Sequence, residues 1–230
     1  MGEFPKGMKD GLPIAIGYLP IALTFGILSV QTGLTPLQAT GMSIWVFAGA
    51  SQFIAINLLQ SHVLITEIIL TTFILNLRHL LMSTSLSRKL QTGPFLSSLL
   101  SFGITDETFV VASVNQENTS ISPSYFLGLA LTAYSGWVFG TFIGSSFSEL
   151  IPKDWATGMS IALYSMFIGL LVPSMKKSRK ISFIAILGGL LSWGLTLVFP
   201  QLSNGWVIIL STIIAATIGS ILPVEEVKSS

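Results

Sequence analysis

Eight stretches of the chain are almost wholly apolar: residues 12–30, 37–59, 63–86, 95–114, 125–147, 156–172, 181–199 and 207–222. Most approach the ~20 residues that a helix needs to cross hydrocarbon. Bare backbone polar groups are not tolerated in lipid, so runs of this kind are helices. The alternation that marks a barrel strand is absent. Connections are short, and glycine and proline gather at the ends (Gly33, Pro36, Pro94, Pro123, Pro152, Pro173, Pro200). The pattern predicts an all-α integral membrane protein of seven or eight hydrophobic helices, forming one transmembrane domain over residues 1–230.

An internal repeat runs through this pattern. Ala39, Thr40, Gly41, Met42, Ser43 and Ile44 recur letter for letter as Ala156, Thr157, Gly158, Met159, Ser160 and Ile161. Each copy follows a proline-containing loop (Pro36, Pro152) and opens an apolar segment. Two repeats are therefore expected, over residues 11–116 and 124–222. Transporters are often built from such halves, with the substrate site at the repeat interface. Channels are also built this way, so the repeat alone does not decide function.

Composition narrows the class. Of 230 residues 51% are hydrophobic and only 9% charged, and mean hydropathy is +0.78. A soluble domain carries about 25% charged residues. A net charge of +1 leaves no basic surface for nucleic acid. The absence of cysteine excludes disulfides and thiolate chemistry. His62 and His79 are the only imidazoles, so neither a transition-metal site nor a cofactor is expected. Lys6 and Lys9 precede the first apolar run, which raises the question of a cleaved signal peptide. That run is too long for one, carries Pro13 and Pro20, and lacks a small-residue cleavage site, so it reads as an uncleaved first segment.

The polar exceptions carry the chemistry. Asn76, Arg78 and His79 stand inside the run 63–86. A charge at membrane depth costs roughly 2.5–3.5 kcal/mol on insertion scales. Arg78 must therefore face protein, a counter-charge or a water-filled cavity. On a regular helix Asn76 and Arg78 point about 160° apart. They serve one site only if the helix is distorted or lies between two polar surfaces. Glu67 shares the Arg78 face. The alternative is that Arg78 and His79 lie near a helix end and snorkel.

Residues 95–114 carry Thr105, Asp106, Glu107 and Thr108 in mid-segment, just after Gly103. This reads as a broken helix whose second half starts near Asp106, since Asp and Thr are good N-caps. Two carboxyls would then border a cavity, able to hold an amine or a proton. The alternative is a plain loop-to-helix junction at the membrane surface. Glu67, Asp106 and Glu107 outnumber Arg78, and the surplus suggests a proton or a cationic group. Residues 37–59 contain Ala48-Gly-Ala-Ser-Gln52, with Asn57 a turn later, and Ala48, Ser51 and Ala55 make a small-residue face. Small residues there allow close helix approach, but the Gln52 amide needs partners at that depth. Pro13 and Pro20 free backbone carbonyls that could line a site or simply kink the helix. No catalytic signature is present: GxSxG, HExxH, the P-loop and the dinucleotide fingerprint are all missing.

At these residues the chain resembles the AzlC-type branched-chain amino acid permeases. The resemblance rests on Asp10-Gly-Leu-Pro13 with Pro20 and Phe25-Gly26, and on Phe47-Ala-Gly-Ala-Ser-Gln-Phe53. It rests further on Asn76-Leu-Arg-His79 with Leu81-Met82, and on Thr105-Asp-Glu107. It implies an exporter of branched-chain and similar apolar amino acids in the bacterial inner membrane. It also implies a second, much smaller membrane subunit of the AzlD type. A zwitterion with an apolar side chain suits the residues found. By charge, Arg78 could meet the carboxylate, Asp106 or Glu107 the ammonium, and the patch around Ser51 the side chain. The candidate substrate-binding or coupling set is therefore Gly49, Ser51, Gln52, Asn76, Arg78, His79, Asp106 and Glu107. Two other classes compete: an intramembrane enzyme using Asp106, Glu107 and His79 as acid and base, and a non-transporting subunit of a membrane complex.

Orientation turns on whether residues 95–114 cross. Both arrangements place seven basic residues inside and three outside, and both put the basic loop of Lys176, Lys177, Arg179 and Lys180 in the cytoplasm. Full crossing makes the repeats parallel with the N-terminus inside; a re-entrant segment makes them inverted. In intact cells Ser178→Cys should resist an impermeant maleimide. Lys6→Cys should be protected as well, because paired lysines before a first helix favour an inside N-terminus. Labelling at position 6 alone would establish the inverted arrangement.

Overall fold

The computed structural model describes residues 2–90, 92–114, 120–150, 161, 165, 168–169, 171–176 and 178–222. Among them the long elements are α1 (Glu3–Gln31), α2 (Pro36–Trp45), α3 (Gly49–Gln60), α4 (Ile65–Leu90), α5 (Pro94–Ser101), α6 (Asp106–Val114), α7 (Pro123–Ser146), α8 (Arg179–Val198) and α9 (Asn204–Ile221). No strand occurs among the described residues. Among the described residues five helices, α1, α4, α7, α8 and α9, are long and apolar enough to cross a membrane. Of the repeated hexapeptide, the first copy lies in α2, while Ala156, Thr157, Gly158, Met159 and Ser160 lie outside the described residues. The chain forms two compact units, Met1–Asn57 with Leu75–Ala162, and Leu58–Ile74 with Leu163–Ser230.

The first unit is built on α1 against α7. Glycines on both helices bring the two backbones into contact: an added Cβ at Gly136 would come within 2.8 Å of the Ala15 Cα and carbonyl oxygen. Close approach of this kind supplies the dispersion contact that holds helices together where water cannot drive them. Phe25, Tyr125, Phe126 and Trp137 fill the seam and are buried. At one end the Tyr125 hydroxyl donates to Asp10 at 2.8 Å, and the Lys6 ammonium lies 5.7 Å from the Tyr125 ring centroid. Helix α1 runs through both Pro13 and Pro20 without ending.

Two apolar segments of this unit are broken. Residues 37–59 read as one segment, but the structure divides them into α2 and α3 at Val46, Phe47 and Ala48. Phe47 is buried there against Tyr18 (6.1 Å), Phe102 (6.4 Å) and Tyr134 (5.3 Å). Beyond the break the Ala48 carbonyl accepts from the Gln52 N–H at 3.0 Å and the Ser51 hydroxyl at 2.9 Å. Residues 95–114 are broken as the sequence suggested. After α5 the chain turns through Phe102, Gly103 and Ile104, and α6 begins at Asp106. Gly103 lies against Ala130, whose Cβ would be 2.5 Å from an added Cβ.

In the second unit α8 and α9 form an antiparallel hairpin. Ser178 caps α8 by accepting from the Ile181 N–H at 3.3 Å, and the Lys180 ammonium donates to the Leu222 carbonyl at 2.7 Å. The first turns of α4 and α9 are joined by Glu67, which accepts from the Ser203 hydroxyl. Gly205 makes room for it: an added Cβ would meet the Glu67 carboxyl and lie 2.9 Å from the Thr71 hydroxyl. A carboxylate is favoured at both positive helix ends.

The α1–α7 seam gives a direct test. Gly136→Ala places a methyl against backbone and should cost about 1–3 kcal/mol, seen as a lower melting temperature in detergent. Gly17→Ala has nothing within 4 Å to meet and should leave it unchanged. Equal melting temperatures for both variants would show that the seam is loose.

Candidate functional site

The site is assembled in the first unit around the head of α6. Thr105 caps this half-helix: its hydroxyl accepts from the Thr108 N–H at 3.2 Å, and its own N–H donates to the Thr108 hydroxyl at 2.8 Å. This is the reciprocal geometry of a capping box with threonine in the third position. The cap is thus provided by the two threonines. The carboxyls of Asp106 and Glu107 are left for other partners.

Asp106 pairs with Arg78: Nη1 lies 2.7 Å from Oδ2, and the two side chains are 35% and 26% exposed. The pair is close enough to be charge-assisted and open enough to be reached. Glu107 turns to α1, where the Tyr18 hydroxyl donates to its Oε2. That hydroxyl also lies 2.8 Å from the Thr105 hydroxyl oxygen. The other Glu107 oxygen, Oε1, is buried without a hydrogen-bond partner.

Asn76, two residues from Arg78, reaches the other break. Its Nδ2 donates to the Ser51 hydroxyl at 3.1 Å in the first turn of α3, while its Oδ1 is buried without a partner. The divergence of about 160° expected for Asn76 and Arg78 on a helix is thereby resolved. Helix α4 presents one side chain to each of two half-helix N-termini. His79 stays local, with Nδ1 3.3 Å from the Asn76 carbonyl oxygen.

Gln52 and Gly49 are engaged in packing. Gln52 is fully buried; its Oε1 accepts from the Trp137 indole N–H at 2.9 Å and its Nε2 donates to Ser43 at 3.0 Å. Ser43 lies 2.8 Å from the Thr141 hydroxyl oxygen, which closes the network. Gly49 leaves space for the Trp137 ring, which would be 2.6 Å from an added Cβ. Beside the α5–α6 break is an apolar recess of about 260 Å³, lined by Leu99, Phe102, Gly103, Leu127, Leu131 and Tyr134 among others.

The structure therefore brings together Ser51 with Asn76, and Arg78 with Asp106, and places Glu107 beside them in sequence but on a separate partner. Tyr18 is the site residue that sequence reasoning missed. The available signal was a phenol between Pro13 and Pro20 in an otherwise apolar helix.

The residues of this arrangement, Tyr18 through Thr108, fall within the part of the chain that matches a protein-family model. That model, described as AzlC protein, matches residues 13–151. The chain belongs to the AzlC family. Similar proteins include an uncharacterized membrane protein of Archaeoglobus fulgidus, 36% identical over 75% of this chain and 76% of the relative. The inner membrane protein YgaZ of Escherichia coli is 33% identical over 84% and 82%. The branched-chain amino acid transport protein AzlC of Bacillus subtilis is 25% identical over 77% and 70%. No solved structure matches the chain. With these relatives and its apolar helices, this AzlC-family chain is a multi-pass membrane protein.

Gln52→Leu tests the buried network of the AzlC-family chain. It leaves the Trp137 N–H and the Ser43 hydroxyl short of a partner, at about 1–3 kcal/mol. The melting temperature in detergent should fall by several degrees, and an unchanged value would mean that the network does not hold α3 to α7.

Proposed function

We propose that this chain is a secondary transporter exporting branched-chain and related apolar amino acids across the bacterial inner membrane, working with a small AzlD-type membrane subunit. The observation that carries the reading is the Arg78–Asp106 pair, 2.7 Å apart and partly exposed, set in a chain with only 9% charged residues. Such a pair is an internal stand-in for a zwitterion. A substrate carboxylate takes the place of Asp106 at the Arg78 fork, and the substrate ammonium takes the place of Arg78 at Asp106. Each ion keeps an opposite partner throughout, so the exchange avoids leaving a bare charge at depth.

Two half-helix N-termini, at α3 and α6, add positive dipole ends to the carboxylate side. The apolar recess beside Phe102 and Gly103 supports an apolar side chain as the third recognition element. The name of the Bacillus subtilis relative supports the substrate class. Both competing classes are less well supported. Asp106 and Glu107 are held by Arg78 and Tyr18 with no nucleophile motif beside them, and a scaffold has no use for a partly exposed ion pair.

The test is counterflow of labelled leucine in liposomes, with and without the small subunit. Arg78→Leu should fold and insert, yet lose substrate affinity by about 10–100-fold, the value of a charge-assisted contact. Arg78→Lys should recover little of it, because only the guanidinium fork matches a carboxylate with two bonds. Wild-type counterflow in the Leu variant would remove Arg78 from the site.

A further inference from the structure

The charges around the head of α6 do not balance. Arg78 and Asp106 neutralise each other at 2.7 Å, which leaves Glu107 as the surplus carboxyl. Among the described residues, the group that hydrogen-bonds to it is neutral. From α1 it receives the neutral Tyr18 hydroxyl. On α6 its neighbour is Asp106, already paired. From α4 come Arg78, committed to Asp106, and His79, whose Nδ1 lies against the Asn76 carbonyl. Helix α7 contains no Asp, Glu, Lys, Arg or His, and the hydroxyls of Tyr125 and Tyr134 go to Asp10 and the Ile44 carbonyl. The cap of α6 is made by Thr105 and Thr108, so Glu107 is not needed there either.

We infer that Glu107 is the proton-carrying group of this transporter, with Tyr18 as its positioning residue. The inference rests on the transport reading above. A carboxylate with one oxygen buried and unpartnered is costly while ionised, and a proton on Oε1 removes the charge. The step balances simply: a proton from one aqueous face adds to Oε1, the carboxylate becomes a neutral acid, and the same proton leaves to the other face. Tyr18 holds Oε2 in both states. It is itself fixed, being 5% exposed with its ring edge-on to Trp137 at 5.4 Å and to Phe47 at 6.1 Å. The phenol thus ties the proton site to the α2–α3 break as well as to α6.

Two measurements on the full chain in liposomes decide the matter. Infrared difference spectra between acid and alkaline samples should show a carboxylic acid C=O band, and Glu107→Gln should abolish it. Tyr18→Phe keeps the ring packing but removes the hydroxyl that holds Oε2. Its band should therefore move to higher frequency, because the C=O loses its hydrogen-bond donor. Leucine flux in the same vesicles gives the functional arm. Glu107→Gln should lose proton-driven net flux at least tenfold and keep leucine-for-leucine exchange, because exchange requires no change of protonation. If no band is lost in Glu107→Gln, the inference is wrong whatever the transport data show. If the variant loses exchange as well, Glu107 binds the substrate ammonium, and the proton assignment is overturned. If the band is present and is lost in Glu107→Gln, but the protein moves no leucine, the transport reading fails while the proton site stands.

Discussion

A guanidinium inside an apolar chain sets the terms for the first unit. Arg78 cannot be left bare at membrane depth, and in this structure its partner is Asp106, 2.7 Å away at the first turn of α6. That turn exists in the middle of an apolar segment only because α5 ends before it. The break in turn requires its own hydrogen bonds, since lipid offers none. Gly103 permits close contact with α7, and Thr105 with Thr108 closes the cap. The ion pair, the broken helix and the cap are thus parts of one arrangement at the head of α6.

The second break follows a similar logic with different parts. Ala48 accepts the first hydrogen bonds of α3, and Ser51 links that turn to Asn76. Helix α4 therefore addresses two half-helix ends from opposite sides. Behind α3, Gln52, Ser43, Trp137 and Thr141 form a closed network with every named donor engaged. Polar residues near the site accordingly divide into two kinds. One kind is locked into packing, as Gln52 is. The other keeps a buried acceptor unpartnered, as Asn76 Oδ1 and Glu107 Oε1 do. The second kind has spare capacity for a proton or a ligand donor, which is the physical basis of the role proposed for Glu107.

The amino-acid sequence by itself determined the class. Long apolar runs with almost no charge can only be helices in lipid, and that follows from the solvent rather than from any contact. It also pointed to a partner for Arg78 and to a break near Gly103, against the alternatives of a snorkelling arginine and a junction at the membrane surface. These features are local, and local chemistry is written in order along the chain. The family motifs are local in the same way, and the match over residues 13–151 agrees with them.

Tertiary structure alone decided which groups meet. Three carboxyls were candidates for Arg78; packing gave it Asp106, gave Tyr18 to Glu107, and tied Glu67 to Ser203 in the second unit. The break at Val46, Phe47 and Ala48 carries no proline and only apolar letters before Gly49. It is held by rings from Tyr18, Phe102 and Tyr134, far apart in sequence. Tyr18 was invisible for the same reason: a phenol in an apolar helix acquires meaning only from the carboxyl that folding brings to it. Charge and periodicity tell that a buried polar group must be satisfied, but the partner that satisfies it is chosen by contacts between distant segments.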